Sequence, residues 1–229
     1  MPADAPLYGP PPYAYGDARI ASFVYLTDPA AAARVVPSAL QIVEPATATV
    51  VIGAYGDSPF GPYTEAMQLV VCLSGQTTLL YVVRMIVTNI PAMAAGREIW
   101  GFPKQFGGVT LTDESGIVSG TVTSAAGAAL CSARLTVGTS IDPKTMPSAS
   151  VATLRLLPSP AGGTPQIAEI VAIPPSAHET IWSGTNPSCQ VSAAADDNWT
   201  VLPVASVIAA TYATGDFTLG LGQRLLAIA

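Results

Sequence analysis

The 229-residue sequence contains two lysines, Lys104 and Lys144. Lys104 closes the run Gly96-Arg97-Glu98-Ile99-Trp100-Gly101-Phe102-Pro103-Lys104, and Phe106 follows it closely. An apolar setting disfavours an ammonium and favours the neutral amine. A neutral amine is a nucleophile toward ketones. Such a nucleophile works near neutral pH only where burial removes about 5 kcal/mol of preference for the ammonium, a cost that full burial can impose. The ordinary alternative is a solvated lysine that happens to follow apolar residues.

Glu65 lies in Gly61-Pro62-Tyr63-Thr64-Glu65-Ala66-Met67-Gln68, at the start of an apolar strand. It reads either as a general acid/base at a pocket rim or as a solvated strand end. Arg84 interrupts the apolar run 79–87. Arginine stays protonated and needs an anion if buried. Its expected partner is Glu65 or Glu98; the sharper alternative is a clamp for a substrate carboxylate. Tyr212 stands in an apolar stretch and reads as core before catalyst. His178, before Glu179 and Trp182, reads as a packing or hydrogen-bonding histidine. No GxGxxG, phosphate-binding loop or GxSxG pattern occurs.

The elements that must hold these residues are mostly strands. Residues 1–16 form an extended, Pro-rich lead-in. A strand is expected over 20–26. Asp28-Pro29 then caps a short helix over 30–36, and Pro37 stops it. Further strands are expected over 46–55, 67–73, 79–87, 109–112, 117–124, 129–137, 153–158, 167–173 and 190–192. Residues 91–96 read as a turn of helix or a loop, and 203–213 as strand or helix. Residues 217–221 and 225–228 close the chain as apolar segments. Frequent turn signals, as in Asp113-Glu114-Ser115-Gly116, point to an antiparallel sheet or barrel in one domain spanning 1–229.

Half of the residues are hydrophobic and only 10% are charged, against roughly 25% in a typical soluble protein. So few charges cover a monomer's surface poorly, so a homo-oligomer is expected. The net charge of −6, without a basic cluster, argues against nucleic acid and against anionic membranes. No apolar run reaches the ~18–20 residues of a membrane helix, and residues 1–12 do not read as a signal peptide. Cys72, Cys131 and Cys189 are scattered and read as reduced, buried hydrophobes of a cytoplasmic protein. With one histidine, a His/Cys metal site is not expected.

The Gly96–Lys104 run strongly resembles the active-site segment of acetoacetate decarboxylase-like enzymes, in which the lysine after the proline forms a Schiff base with a ketone. The resemblance extends over nearly the whole chain. Tyr25-Leu26-Thr27-Asp28 with Val35-Val36-Pro37, the Tyr63-Thr64-Glu65 motif, Asn89-Ile90-Pro91-Ala92, the Pro-Gly-Gly-Thr-Pro-Gln-Ile hairpin before Ile170, His178 to Gly184, and Leu202-Pro203-Val204 appear in the family's order. Three departures stand out. Gln105 occupies the place of a second lysine. The family's first active-site glutamate falls on Val50. Its substrate-pocket arginine falls on Ala18, with Arg19 one residue off.

The resemblance implies a mainly β, antiparallel barrel-like fold with a few short helices. It also implies a cofactor-independent, Schiff-base-forming lyase that acts on a small keto acid or ketone. Lys104 and Glu65 are the expected catalytic groups. Arg84, Tyr212, Trp100, Phe102 and Gln105 are expected about the substrate. No metal or cofactor is expected. β-Keto acid decarboxylation leads, with aldol condensation and dehydration as the alternative. A non-catalytic small-ligand-binding barrel is the alternative of another class.

Overall fold

The computed structural model of the chain describes residues 4–176 and 178–228; the His178 ring packs edge-on against Phe217, with centres 5.6 Å apart. Strand-forming alternation is clearest in β1, Tyr13–Leu26, where Tyr13, Tyr15, Ala21, Phe23 and Tyr25 are buried. The lead-in therefore ends earlier than the prolines suggested. Tyr13 and Tyr15 alternate with Ala14 and Gly16, a period of two that marks a half-buried strand. Asp28 then caps α1, Pro29–Val35, by accepting from the Ala30 amide at 2.8 Å.

The next strands are β2 (Gln41–Ile42), β3 (Thr47–Asp57), β4 (Tyr63–Ser74) and β5 (Thr77–Val87). A short helix, α2 (Ile90–Ala95), runs into a π-turn over Gly96–Trp100. Lys104 opens β6, Lys104–Phe106. The chain continues through β7 (Gly108–Glu114), β8 (Ile117–Thr123), β9 (Ala129–Ile141), β10 (Ser150–Leu157) and β11 (Ile167–Ile173). It ends with β12 (Thr180–Val191), β13 (Ser206–Leu219) and β14 (Gln223–Ala227). The segment left open between strand and helix is thus the start of a 14-residue strand, which also absorbs most of the run over 217–221.

All fourteen strands share one mixed sheet. Its main path runs β14-β11-β10-β5-β4-β3-β1-β13-β12-β9-β8-β7, with β2 on β4 and β6 on β5. Most pairs are antiparallel; β5 pairs in parallel with both β10 and β6. The hydrogen-bonded path does not close. It curls instead, so that β7 lies against β3, β4 and β5. The Thr64 hydroxyl on β4 donates to the Val109 carbonyl on β7 at 2.8 Å. This curl gives the barrel-like form.

Strand residues alternate between two apolar clusters. On β3, Val50, Ile52 and Ala54 join the larger cluster inside the curl, with Phe23, Val118, Leu135 and Trp199. Val51 and Tyr55 join the smaller one, with Tyr13, Tyr15, Tyr63, Trp100 and Phe102. The aromatic cluster is the one that surrounds Lys104.

Candidate active site

Two glycines allow the lysine run to fold. The π-turn ends at Gly101, whose φ of 78° is left-handed. A Cβ there would also meet the Arg155 backbone at 2.5 Å, so glycine is required twice over. The Gly101 amide closes the turn on the Gly96 carbonyl, and the Thr153 hydroxyl on β10 donates to the Trp100 carbonyl. Gly96 has ordinary helical dihedrals of −60° and −44°, so its reason is space. The Lys104 side chain lies across it, and a Cβ would come within 2.7 Å of Cε. Single π-turns of this kind recur at functional sites.

Lys104 is 5% exposed and Glu65 is 7% exposed. Lys104 Nζ donates to Glu65 Oε2 at 2.9 Å and to the Ala92 carbonyl at 3.3 Å. The rings of Phe102 and Tyr63 stand 5.6 and 5.9 Å from the ammonium, within cation–π range. Glu65 Oε1 accepts from the Tyr55 hydroxyl at 2.9 Å. The Tyr63 hydroxyl faces that of Tyr15 at 3.1 Å. Burial, with the Glu65 charge adding, pushes the hydroxyls of Tyr15, Tyr55 and Tyr63 well above the usual phenol range, so all three keep their protons.

The other expected residues divide. Phe102, whose ring stands 5.6 Å from the amine, lines a surface cavity of about 1200 Å³ together with Arg97, Ile99, Leu154 and Leu156. Trp100 is buried behind Phe102, with ring centres 6.1 Å apart. Gln105 is exposed, with its side chain alternating away from that of Lys104. Phe106 is 48% exposed and contributes little to burying the amine.

Arg84 is engaged elsewhere. Its Nε lies 3.3 Å from Asp197 Oδ1 and 3.3 Å from the Asn198 carbonyl. Its ion-pair partner is therefore Asp197, not Glu65 or Glu98. Tyr212 stacks on Trp182 at 5.9 Å in the larger cluster. Burial, helped by the Asp113 carboxylate, pushes its hydroxyl up to about 12. Arg19 acts on Tyr212, whereas Ala18 is buried in the aromatic cluster. The bulge between Tyr15 and Ala18 does not bring Arg19 round. Val50 packs in the larger cluster, away from Glu65.

The sequence reading missed Tyr55, Gly53 and Gly96. Gly96 opens the lysine run, but only three-dimensional contact gives its reason. Among the described residues, no group of three or more His, Cys, Asp and Glu is placed to hold a metal ion. Nor is any helix long and apolar enough to cross a membrane.

The structure thus buries a lysine paired with a carboxylate inside an aromatic cluster, and comparison with known proteins gives the arrangement a lineage. The family model for acetoacetate decarboxylase matches residues 1–227. The chain belongs to the acetoacetate decarboxylase family. An acetoacetate decarboxylase of Streptomyces nogalater is 34% identical over 227 residues, covering 96% of this chain and 91% of the relative. A solved acetoacetate decarboxylase structure superposes with a TM-score of 0.91 at 25% identity, over 99% of this chain and 94% of that one. The enduracididine biosynthesis enzyme MppR, solved with the condensation product of pyruvate and imidazole 4-carboxaldehyde, shares the fold at a TM-score of 0.81 and 20% identity, over 95% and 90% of the chains. Family membership makes the chain an enzyme of the lyase class.

Proposed function

We propose that the chain is a Schiff-base lyase in which Lys104 is the nucleophile and Glu65 the proton carrier. The observation that carries the reading is the 2.9 Å contact between Lys104 Nζ and Glu65 Oε2 in a site with both groups buried. Glu65 takes a proton from the ammonium, and the freed amine attacks the carbonyl carbon of a ketone or keto acid. The carbinolamine loses water as Glu65 returns a proton to the departing oxygen. The iminium then draws electrons from the adjacent carbon. With a β-keto acid, the C–C bond to the carboxylate breaks, carbon dioxide leaves, and an enamine remains. Protonation and hydrolysis of that enamine release the ketone and restore the amine.

Phe102, Tyr63 and Trp100 keep the site dry, which strengthens the iminium–carboxylate attraction. Loss of carbon dioxide is the leading outcome, because the family's named members are acetoacetate decarboxylases. Aldol condensation is the second reading. It is favoured by Ala18, Val50 and Gln105 at positions where the family resemblance expects charged residues, and by the condensation product held in MppR.

Borohydride reduction in the presence of acetone, followed by peptide mass analysis, tests the proposal. An alkylated Lys104 is the expected result, and its absence while acetone still binds leaves only a ligand-binding barrel. Carbon dioxide release from acetoacetate then separates decarboxylation from condensation. We also propose a homo-oligomer, supported by the exposed Leu156, Leu157, Ile208 and Leu221; a monomer by light scattering at micromolar concentration counts against it. The three free, buried cysteines suit a reducing compartment such as the cytoplasm.

A further inference from the structure

We propose that Tyr55 is the positioning residue that aims Glu65 at Lys104, and that Gly53 clears the path for it. The inference rests on the Schiff-base reading of the same site. On the ladder between β3 and β4, Gly53 is the register partner of Glu65, and Tyr55 is the partner of Tyr63. The Tyr55 ring does not stay over its own partner's end of the ladder. It leans back along β3, and its hydroxyl reaches Glu65 Oε1 at 2.9 Å.

That path crosses Gly53. A Cβ at residue 53 would stand 2.8 Å from the Tyr55 hydroxyl oxygen and 3.1 Å from Cζ. Any side chain there pushes the hydroxyl off the carboxylate. The φ of Gly53 is not in the left-handed region, so the glycine answers to space and not to backbone conformation. Tyr15 packs on the other side of Tyr55 at 4.9 Å, and Phe217 at 5.7 Å. The ring is thus held between aromatic neighbours.

The consequence is a carboxylate with each oxygen assigned. Oε1 accepts from Tyr55 and Oε2 from Lys104. A glutamate held by one contact can rotate about its last bond; two contacts fix its plane. Tyr55 stays protonated, because burial and the Glu65 charge oppose its ionisation. It is therefore a donor throughout and does not compete for the amine's proton. Tyr63 shares a motif with Glu65, yet its hydroxyl is directed to Tyr15. The assignment falls on Tyr55 by geometry.

The test is the rate of borohydride-trapped adduct at Lys104 with acetone, for the full chain and for Tyr55→Phe, Gly53→Ala and the double variant. Tyr55→Phe is expected to slow trapping at saturating acetone by roughly 10- to 100-fold, the range of a hydrogen bond to a charged group. The acetone concentration at half-saturation stays within about twofold, because Tyr55 acts on Glu65 and not on the ligand. Gly53→Ala slows trapping similarly, and the double variant is no slower than the slower single one, since both remove one contact. Gly53→Ala decides the matter alone should Tyr55→Phe fail to fold. Single-variant effects that multiply, a Tyr55→Phe rate within twofold of wild type, or a change in half-saturation alone overturns the inference. A wild-type protein that forms no adduct sinks the Schiff-base reading and this inference together. A wild-type adduct with an unaffected Tyr55→Phe sinks this inference only.

Discussion

Gly96→Ala places a methyl group where the Lys104 side chain runs. Its Cβ would stand 2.7 Å from Lys104 Cε, 2.8 Å from Cδ and 3.2 Å from Nζ. Carbon atoms make their best contact at about 3.5–4.0 Å, so the lysine must retreat by roughly 1 Å. The amine is anchored at 2.9 Å to Glu65 and 3.3 Å to the Ala92 carbonyl, and such a retreat loosens both. A displacement of about 1 Å at a reacting group costs on the order of 100-fold in rate, or about 2.7 kcal/mol. Stability responds differently. Residue 96 has helical dihedrals of −60° and −44°, where alanine is better than glycine by about 1 kcal/mol. The strained ion pair loses part of the ~1.5–3 kcal/mol of a charged hydrogen bond. The two nearly offset, so the melting temperature falls by only a few degrees. The expected result is a folded protein whose Lys104 adduct forms about 100-fold more slowly. Adduct formation within threefold of wild type would refute the packing of Lys104 on Gly96 as the determinant of its aim.

Two further substitutions separate catalysis from stability. Lys104→Met abolishes the adduct and leaves Glu65 buried without its cation, at a cost of about 3–5 kcal/mol by urea unfolding; Lys104→Met with Glu65→Gln recovers most of that loss, and no recovery would mean the pair is not coupled. Asp197→Ala deprives Arg84 and the Trp199 indole N–H of their acceptor. It is expected to cost about 2–3 kcal/mol, roughly 4–12 °C in Tm, while adduct formation per folded molecule stays unchanged. A loss of adduct in folded Asp197→Ala would restore Arg84 to the site.

Local patterns in the sequence revealed the strands, and pairing in space decided the rest. The run 167–173 was legible at its full length because Ile167, Ile170, Val171 and Ile173 favour a strand, and β11 spans it. Asp28-Pro29 gave the start of α1 because capping is a matter of adjacent residues. The parallel pairing of β6 on β5 was not legible, since it joins Lys104 to Met85 across a helix and a π-turn. The partner of Arg84 was misread for the same reason: Asp197 lies far along the chain, whereas Glu65 and Glu98 were near. Lys104 and Glu65 were brought together by the family resemblance of their two motifs, not by spacing. The hydroxyl on Glu65 was not legible, because Tyr55 reaches it by leaning over a glycine, and no spacing rule encodes a lean.

The charges around the amine make a last prediction about substrates. Lys104 and Glu65 balance each other, and imine formation conserves the cation, so the iminium–carboxylate pair is also balanced. A neutral ketone enters this site without adding charge. A β-keto acid brings one unbalanced anion into a dry pocket, where burying it is costly unless it is paired. Among the described residues, Glu65 has one cationic partner, Lys104. Four of the seven arginines hold other groups: Arg84 binds Asp197, Arg155 and Arg224 bind Glu169, and Arg97 donates to the Lys104 carbonyl. Ala18 puts only a methyl group into the aromatic cluster. The unpaired carboxylate weakens binding of the acid but favours its loss, because departure of carbon dioxide removes the uncompensated charge. Acetone should therefore half-saturate Lys104 trapping at a concentration no higher than acetoacetate does, by competition at fixed borohydride. Acetoacetate competing about tenfold better than acetone, a gain of about 1.4 kcal/mol, would require a cation facing the site and would refute this charge balance.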